Sequence, residues 1–170
     1  LQGGSAGLLR DGKGSTWEGG MREPALFWWP GVIKPGVVDG LGSTLDFMPT
    51  FAAISGATLP ADLKLDGYNL LPTLKDGAIS PRREMIYYRG DEVFAIRLGP
   101  HKAHFKTRTE YIGQKGAITH NPPLLYNLEF DPAEQWDVSS ELPHVVAALQ
   151  AFKAEHEATV QTVENQVDKR

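Results

Sequence analysis

The sequence predicts an α/β chain with a remnant of a parallel sheet beside a small four-stranded antiparallel sheet that is packed by a long C-terminal helix. Three observations support this prediction. Residues 25–29 are apolar without alternation, as in a strand that is buried on both faces. Short strand-like segments between residues 85 and 128 are separated by brief polar spacers, which are typical of antiparallel neighbours. From Leu142 onward, apolar residues recur with helical spacing.

The N-terminal part is glycine-rich over residues 1–24, which predicts a long loop ahead of the strand at 25–29. A short amphipathic helix is predicted next. Asp46 is a suitable N-cap, Pro49 falls in the first turn, and Gly56 suits the C-terminal end. Its predicted buried stripe consists of Phe47, Met48, Phe51 and Ile54.

The C-terminal part contains the other elements. Residues 57–82 are rich in Pro, Asp and Gly, and they predict a connection with one helical turn near residues 70–74. The predicted strands cover residues 85–88, 92–98, 102–107 and 124–128. The sequence therefore predicts a division between residues 1–82 and residues 83–170.

Composition narrows the classes of function. The 170 residues include 17 basic and 21 acidic side chains, giving a net charge of −4 without charged blocks. This argues against a nucleic-acid partner. No apolar run approaches the roughly 20 residues of a membrane helix. The absence of cysteine excludes thiolate catalysis and cysteine-ligated zinc. The chain opens with Leu1 inside a glycine-rich stretch, which predicts a portion of a longer protein.

The most specific motif is the run Gly-Lys-Gly-Ser-Thr-Trp-Glu-Gly-Gly-Met-Arg-Glu-Pro at residues 12–24. Lys13 is flanked by glycines, which allow close backbone approach to a ligand, and its compact charge suits an anionic oxygen. The order of residues does not match a phosphate-binding P-loop. A solvated loop lysine is the alternative interpretation. Glu18 and Arg22, four residues apart, are predicted to pair and brace the loop.

This motif and five further segments resemble the type I sulfatases of the alkaline phosphatase superfamily. The resemblance covers roughly residues 3–140 and is strongest to the arylsulfatase and N-acetylgalactosamine-6-sulfatase members. The further segments are DFMPT at 46–50, LDGYNLLP at 65–72, YRGD at 88–91, HKAHF at 101–105 and PPLLYNL at 122–128.

The resemblance implies a fold and a reaction. Residues 1–82 would be the C-terminal end of a catalytic α/β domain, and residues 83–170 the small C-terminal subdomain. The family hydrolyses sulfate esters with a formylglycine nucleophile, and a Ca²⁺ ion held by aspartates and an asparagine binds the sulfate. Lys13 matches the lysine that contacts the sulfate. The nucleophile and the calcium ligands have no match here, so this chain alone is expected to be inactive without an N-terminal catalytic portion. A periplasmic, secreted or lysosomal location is also implied.

The resemblance also implies active-site histidines, since sulfatases use histidine in the active site. His101 and His104 lie three apart on a predicted strand and point to opposite faces, so they are expected to be structural. His120 resembles a histidine near the substrate entrance of an arylsulfatase and is a candidate substrate contact. His144 and His156 on the terminal helix are expected to pack or to face solvent.

Two other functions fit the sequence. One is phosphodiester or phosphonate hydrolysis by another member of the same superfamily. The other is a non-enzymatic domain that binds acidic carbohydrate.

Overall fold

A computed structural model describes residues 4–109, 116–161 and 163. The chain forms two compact units, one made of Leu1–Arg22 with Glu84–Arg170 and the other of Glu23–Arg83. Residues 1–22 thus belong to the same unit as the C-terminal region. The assignment of residues 1–82 to the end of a catalytic domain stays a prediction.

The first unit is built on one antiparallel sheet with strand order β1-β2-β3-β4. Its helices and strands are α1 (Glu18–Met21), β1 (Glu84–Arg89), β2 (Glu92–Leu98), β3 (His101–Thr107), β4 (Ile118–Asn127) and α4 (Pro143–Thr159). The second unit contains α2 (Phe47–Ser55) and α3 (Leu71–Asp76). The four-stranded sheet and the terminal helix are confirmed, and so is the predicted turn of helix near residue 70.

The fourth strand is longer than predicted, since it begins at Ile118 and not at Leu124. Its prolines, Pro122 and Pro123, have no N–H to donate and so suggested a loop. Because β4 lies at the edge of the sheet, a proline can occupy it without breaking a ladder on both sides.

One face of the sheet packs against α4. The buried cluster there consists of Val93, Ile96, Ala103, Leu125, Val146 and Leu149. Pro143 lies in the first turn of α4, where its missing N–H costs nothing. Apolar burial of this kind contributes about 1.5–3 kcal/mol per large side chain, so this face anchors the first unit.

The other face is covered by the N-terminal segment. Trp17 is buried against Tyr126 and Leu128, and Ser15, Thr16 and Glu18 are buried beside it. The segment was predicted as a loop, and most of it has no regular structure. Its residues 15–18 are nevertheless as buried as the core residues, so the sheet is covered on both faces.

In the second unit, α2 ends as predicted at Gly56, whose φ of 72° gives the left-handed C-cap. Its start differs from the prediction. Asp46 makes no side-chain cap of α2, and Ser43 instead caps a preceding 3₁₀ turn in a capping box with Asp46. The Asp46 carboxylate is occupied by a bidentate ion pair with Arg82.

Two predictions of burial in this unit are wrong. Residues 25–29 form no strand, and Leu26 and Trp28 are 88% and 81% exposed. The predicted stripe of α2 is also exposed, including Met48 and Phe51. A strand needs neighbours for its backbone hydrogen bonds, and among the described residues no strand pairs with residues 25–29. The apolar side chains of residues 25–29 and of α2 therefore predicted burial, but they did not identify the surface that would bury them.

Within the described ranges, no helix has the length and apolarity needed to cross a membrane.

Candidate functional site

Lys13 lies at the exposed tip of a compact loop formed by residues 10–21, the Lys13 loop. The loop is closed at its base by a hydrogen bond in which the Gly19 N–H donates to the Arg10 carbonyl at 2.8 Å. Nearer the tip, both the N–H and the hydroxyl of Ser15 donate to the Gly12 carbonyl, at 3.1 and 3.0 Å. These bonds fix the backbone on either side of Lys13.

The glycines of the loop are needed because backbone segments approach one another closely. A Cβ at Gly19 would lie 2.4 Å from the Arg10 carbonyl oxygen, and one at Gly20 would lie 2.5 Å from the Gly12 oxygen. Gly14 has a φ of 95°, which L side chains rarely adopt. Its carbonyl accepts a hydrogen bond from Arg89 of β1. The motif at 12–20 thus specifies a defined loop shape around Lys13.

Beneath the loop lies a buried charge cluster of Glu18, Lys102, His104 and Glu134, all at most 3% exposed. Lys102 Nζ lies 2.8 Å from Glu18 Oε1 and 3.2 Å from Glu134 Oε1. His104 Nε2 lies 2.7 Å from the same Glu134 oxygen. Buried charges are retained only when they are paired and hydrogen-bonded, and this cluster meets both conditions.

The protonation states within the cluster follow from its burial. Burial lowers the pKa of His104 to about 4, against the opposing hydrogen bond with Glu134. Burial alone would raise the pKa of Glu134, but the His104 hydrogen bond and the Lys102 charge lower it. At neutral pH the imidazole is therefore neutral and donates through Nε2 to an ionised carboxylate. His104 Nδ1 has no hydrogen-bond partner in the described part of the chain, and in this tautomer it carries no proton.

Aromatic side chains of the Lys13 loop and of the sheet contact the charge cluster. The Trp17 ring lies 4.1 Å from the His104 ring, centroid to centroid, and the Arg10 guanidinium lies 3.7 Å above Trp17. Lys102 Nζ lies 4.5 Å from the centroid of Tyr87. Such cation–aromatic contacts stabilise charge where water is excluded.

The structure places the two predicted site residues in different surroundings. Lys13 is exposed, whereas His120 is partly buried and its Nε2 shares a hydrogen bond of 2.8 Å with the Thr107 hydroxyl. Burial lowers the pKa of His120. In the part of the chain that is described, no hydrogen bond joins Lys13 to His120. Their roles in substrate binding stay predictions.

The predicted pairing of Glu18 with Arg22 is wrong. The Glu18 carboxylate accepts from Lys102 at 2.8 Å, and the bond to Arg22 is between backbone atoms. A buried ammonium on the adjacent sheet outcompetes the exposed guanidinium four residues away because Glu18 itself is buried.

The other histidines behave mostly as predicted. His104 is fully buried and His101 is partly exposed, in agreement with side chains on opposite faces of β3. His156 packs against β1, with its Nε2 2.5 Å from the Tyr88 hydroxyl.

Sequence reasoning missed the charge cluster. One signal was present, because Lys102 and His104 lie two apart on a predicted strand and so share one face. That face would be polar on a strand otherwise expected to pack. No local pattern indicated Glu134, whose carboxylate accepts from the backbone N–H of Glu18, a residue 116 positions away.

Among the described residues, no group of three or more His, Asp or Glu side chains could hold a metal ion. These residues therefore do not fit a calcium site by themselves.

Comparison with known families gives two matches. The family described as "C-terminal region of aryl-sulfatase" matches residues 80–170. The family described as "Sulfatase" matches residues 2–57. Together the matched ranges contain the Lys13 loop, the sheet and α4.

Curated proteins similar to this chain are also named as sulfatases. Human arylsulfatase A is 44% identical over 94% of this chain and 36% of its own length. Human N-acetylgalactosamine-6-sulfatase is 39% identical over 98% of this chain and 36% of its own length. The chain thus spans about a third of the length of these relatives.

Solved structures agree on the fold. The PsFucS1 sulfatase from Pseudoalteromonas sp. superposes with a TM-score of 0.77 at 28% identity, covering 89% of this chain and 32% of that one. The solved structure of Ps i-CgsB superposes with a TM-score of 0.68 at 31% identity, covering 86% of this chain and 31% of that one. The chain belongs to the sulfatase family, and it corresponds to the C-terminal part of its members.

Proposed function

We propose that the complete protein is a sulfuric ester hydrolase in which Lys13 binds an oxygen of the sulfate group. The observation that carries this proposal is the placement of a glycine-flanked ammonium at the exposed tip of a loop whose backbone is fixed. An exposed lysine on a mobile loop could bind many anions weakly. A lysine on a fixed loop can be aimed at one position.

Sulfate ester hydrolysis would be favoured by a cation in this position. Cleavage of a sulfate ester places negative charge on the sulfuryl and leaving-group oxygens, and a preorganised positive charge stabilises this charge in a site shielded from water. The nucleophile, a formylglycine by family resemblance, and the Ca²⁺ ligands are proposed to come from the N-terminal catalytic portion. The chain contains no cysteine from which formylglycine could form.

His120 is proposed as a second contact to substrate. Its ring is held through Nε2 by Thr107, which leaves Nδ1 as the atom available to a substrate oxygen. Since burial lowers the pKa of His120, the neutral ring would act as a hydrogen-bond partner and not as a charge.

Substrate and location are proposed at the level of the relatives. The named relatives are an arylsulfatase and an N-acetylgalactosamine-6-sulfatase, so aryl or carbohydrate sulfate esters are the proposed substrate class. A periplasmic, secreted or lysosomal location would suit such substrates.

The first test is the activity of the full-length protein. We expect hydrolysis of nitrophenyl sulfate with calcium present to exceed hydrolysis of nitrophenyl phosphate with zinc. Preference for the phosphate ester would favour the phosphodiester and phosphonate branch of the superfamily. Binding of a sulfated glycan without turnover would favour the carbohydrate-binding alternative.

The second test is removal of the cation. Lys13→Ala should lower turnover of nitrophenyl sulfate by about 10²-fold, as for the loss of one oxyanion donor. The matched control is Lys153→Ala, which removes a lysine that pairs with Glu157 on the surface of α4 and should leave turnover unchanged. An unchanged rate in Lys13→Ala would remove Lys13 from the mechanism.

A further inference from the structure

We propose that Glu134 is a positioning residue for this reaction, because it fixes the base of the Lys13 loop from both ends. The inference rests on the proposed function, since it assigns Glu134 an effect on turnover that is exerted through Lys13. Glu134 lies in the turn after β4 and is fully buried, so it contacts no substrate itself.

Each end of the loop is attached to a different group of Glu134. On the N-terminal side of Lys13, Arg10 Nη1 donates to the Glu134 carbonyl at 2.8 Å. On the C-terminal side, the Glu18 N–H donates to Glu134 Oε2 at 2.6 Å. Residues 10 and 18 bracket Lys13, so one side chain and its own backbone set the separation and direction of the two stems.

Lys102 of the sheet also links Glu134 to the Lys13 loop. Its Nζ contacts Glu18 Oε1 at 2.8 Å and Glu134 Oε1 at 3.2 Å, and so it joins the loop carboxylate to the turn carboxylate. His104 contacts the same Glu134 oxygen. Glu134 Oε1 therefore faces the sheet, while Oε2 faces the loop.

The position of Glu134 is itself specified. Its φ of 54° places a residue with a side chain in the left-handed region, which is uncommon for residues other than glycine. Asp131 orders this turn, since its carbonyl accepts from the Glu134 N–H at 3.1 Å and its Oδ2 accepts from the N–H groups of Gln135 and Trp136. The turn is thus built to present Glu134 to the loop.

The test is a double-mutant cycle in the full-length enzyme with Glu134→Gln, Lys13→Ala and the combined variant. Glutamine keeps the size of the side chain but weakens its bonds to Glu18, Lys102 and His104. We expect Glu134→Gln to lower kcat/KM for nitrophenyl sulfate about 10-fold or more, since small misplacement of a reacting group is costly. In the Lys13→Ala background it should lower kcat/KM less than about 2-fold, because residues that act as a unit are not additive.

The control separates positioning from stability. Asp46→Asn weakens the buried ion pair with Arg82 in the other unit and should lower Tm, while kcat/KM measured well below Tm stays at the wild-type value. Glu134→Asp keeps the charge on a shorter side chain. We expect it to retain more activity than Glu134→Gln, and it supplies the same comparison if the glutamine variant does not fold.

The outcomes are distinct. Equal losses from the Glu134 substitution with and without Lys13 would overturn the positioning role, while a large effect of Lys13→Ala alone would leave the proposed function standing. If Lys13→Ala has no effect on turnover, both the proposed function of Lys13 and the positioning role fail.

Discussion

The described residues of each unit include a buried ionic site, and the two sites are built differently. In the second unit, Asp46 and Arg82 form a bidentate pair with contacts of 2.5 and 2.9 Å, and the backbone N–H groups of Ser43 and Tyr68 fill the other lone pairs of the carboxylate. In the first unit, one ammonium is shared by two carboxylates and a neutral histidine completes the group.

The Asp46–Arg82 pair is a closed site, because one geometry satisfies both groups. The cluster around Lys102 is an adjustable site, because one ammonium is shared by two carboxylates. The guanidinium fork of Arg82 matches a single carboxylate in one geometry, so the Asp46 site fastens three chain segments and leaves no group to titrate near neutral pH. The cluster around Lys102 joins a surface loop to the sheet through a point charge with two partners. The stability of this cluster therefore depends on more groups than the Asp46 site does, and it also depends on pH.

The largest expected effect is on the shared ammonium. Lys102→Met removes the ammonium that pairs with both buried carboxylates, those of Glu18 and Glu134. Breaking a buried ion pair by removing one member costs about 3–5 kcal/mol, and we expect a loss of unfolding free energy of that order in denaturant titration. The combined variant Lys102→Met with Glu18→Gln should recover part of it. A loss below about 1 kcal/mol would show that the cluster is not a major stabilising element.

The pH dependence should distinguish the two sites. The folded-state pKa of His104 is depressed from 6.5 to about 4, so the unfolded chain binds more protons between these values and the first unit loses stability as pH falls through that range. The pKa of Asp46 is lowered from 3.8: burial opposes this shift, and the Arg82 and backbone hydrogen bonds outweigh it. The Asp46 contribution is therefore lost only at more acidic pH.

Unfolding measured from pH 7 to pH 3 should show this order. His104→Gln should flatten the dependence between about pH 6.5 and 4. Asp46→Asn should leave that part of the curve in place. An unchanged slope in His104→Gln would contradict the assignment of the neutral imidazole.

The smallest expected effect is on the fork geometry of the closed site. Arg82→Lys keeps the positive charge and loses the bidentate contact with Asp46, as well as the bond to the Asp66 carbonyl. We expect a loss of about 1–3 kcal/mol, measured as a shift in denaturant midpoint at constant slope. An equal or larger loss than for Lys102→Met would reverse the comparison between the two sites.

Sequence reasoning succeeded where local periodicity decides the structure. The bounds of β2 were predicted to the residue, and α4 follows a regular apolar spacing that packs on the sheet through Val146 and Leu149. It failed for residues 25–29 and for the stripe of α2, because an apolar run indicates burial only when a partner surface is present.

The roles of the candidate site residues Lys13 and His120 stay predictions. Lys13 was singled out by its glycines and by family resemblance, and the defined loop shape around it agrees with the motif. The supporting cluster could not be derived, since Glu18 and Glu134 meet only in three dimensions and each is unremarkable in its own segment. Lys102 and His104 could have been noticed as two polar residues on one face of a strand.

The attachment of Glu18 to a residue 116 positions later has a consequence for biosynthesis. The stems of the Lys13 loop acquire their final separation only after the turn at residues 131–134 has left the ribosome. A polypeptide that ends before this turn would contain the motif at 12–24 in full and still lack the carboxylate that accepts from the Glu18 N–H. Lys13 and the residue that anchors its loop are thus encoded far apart in the chain and are synthesised at different times during translation.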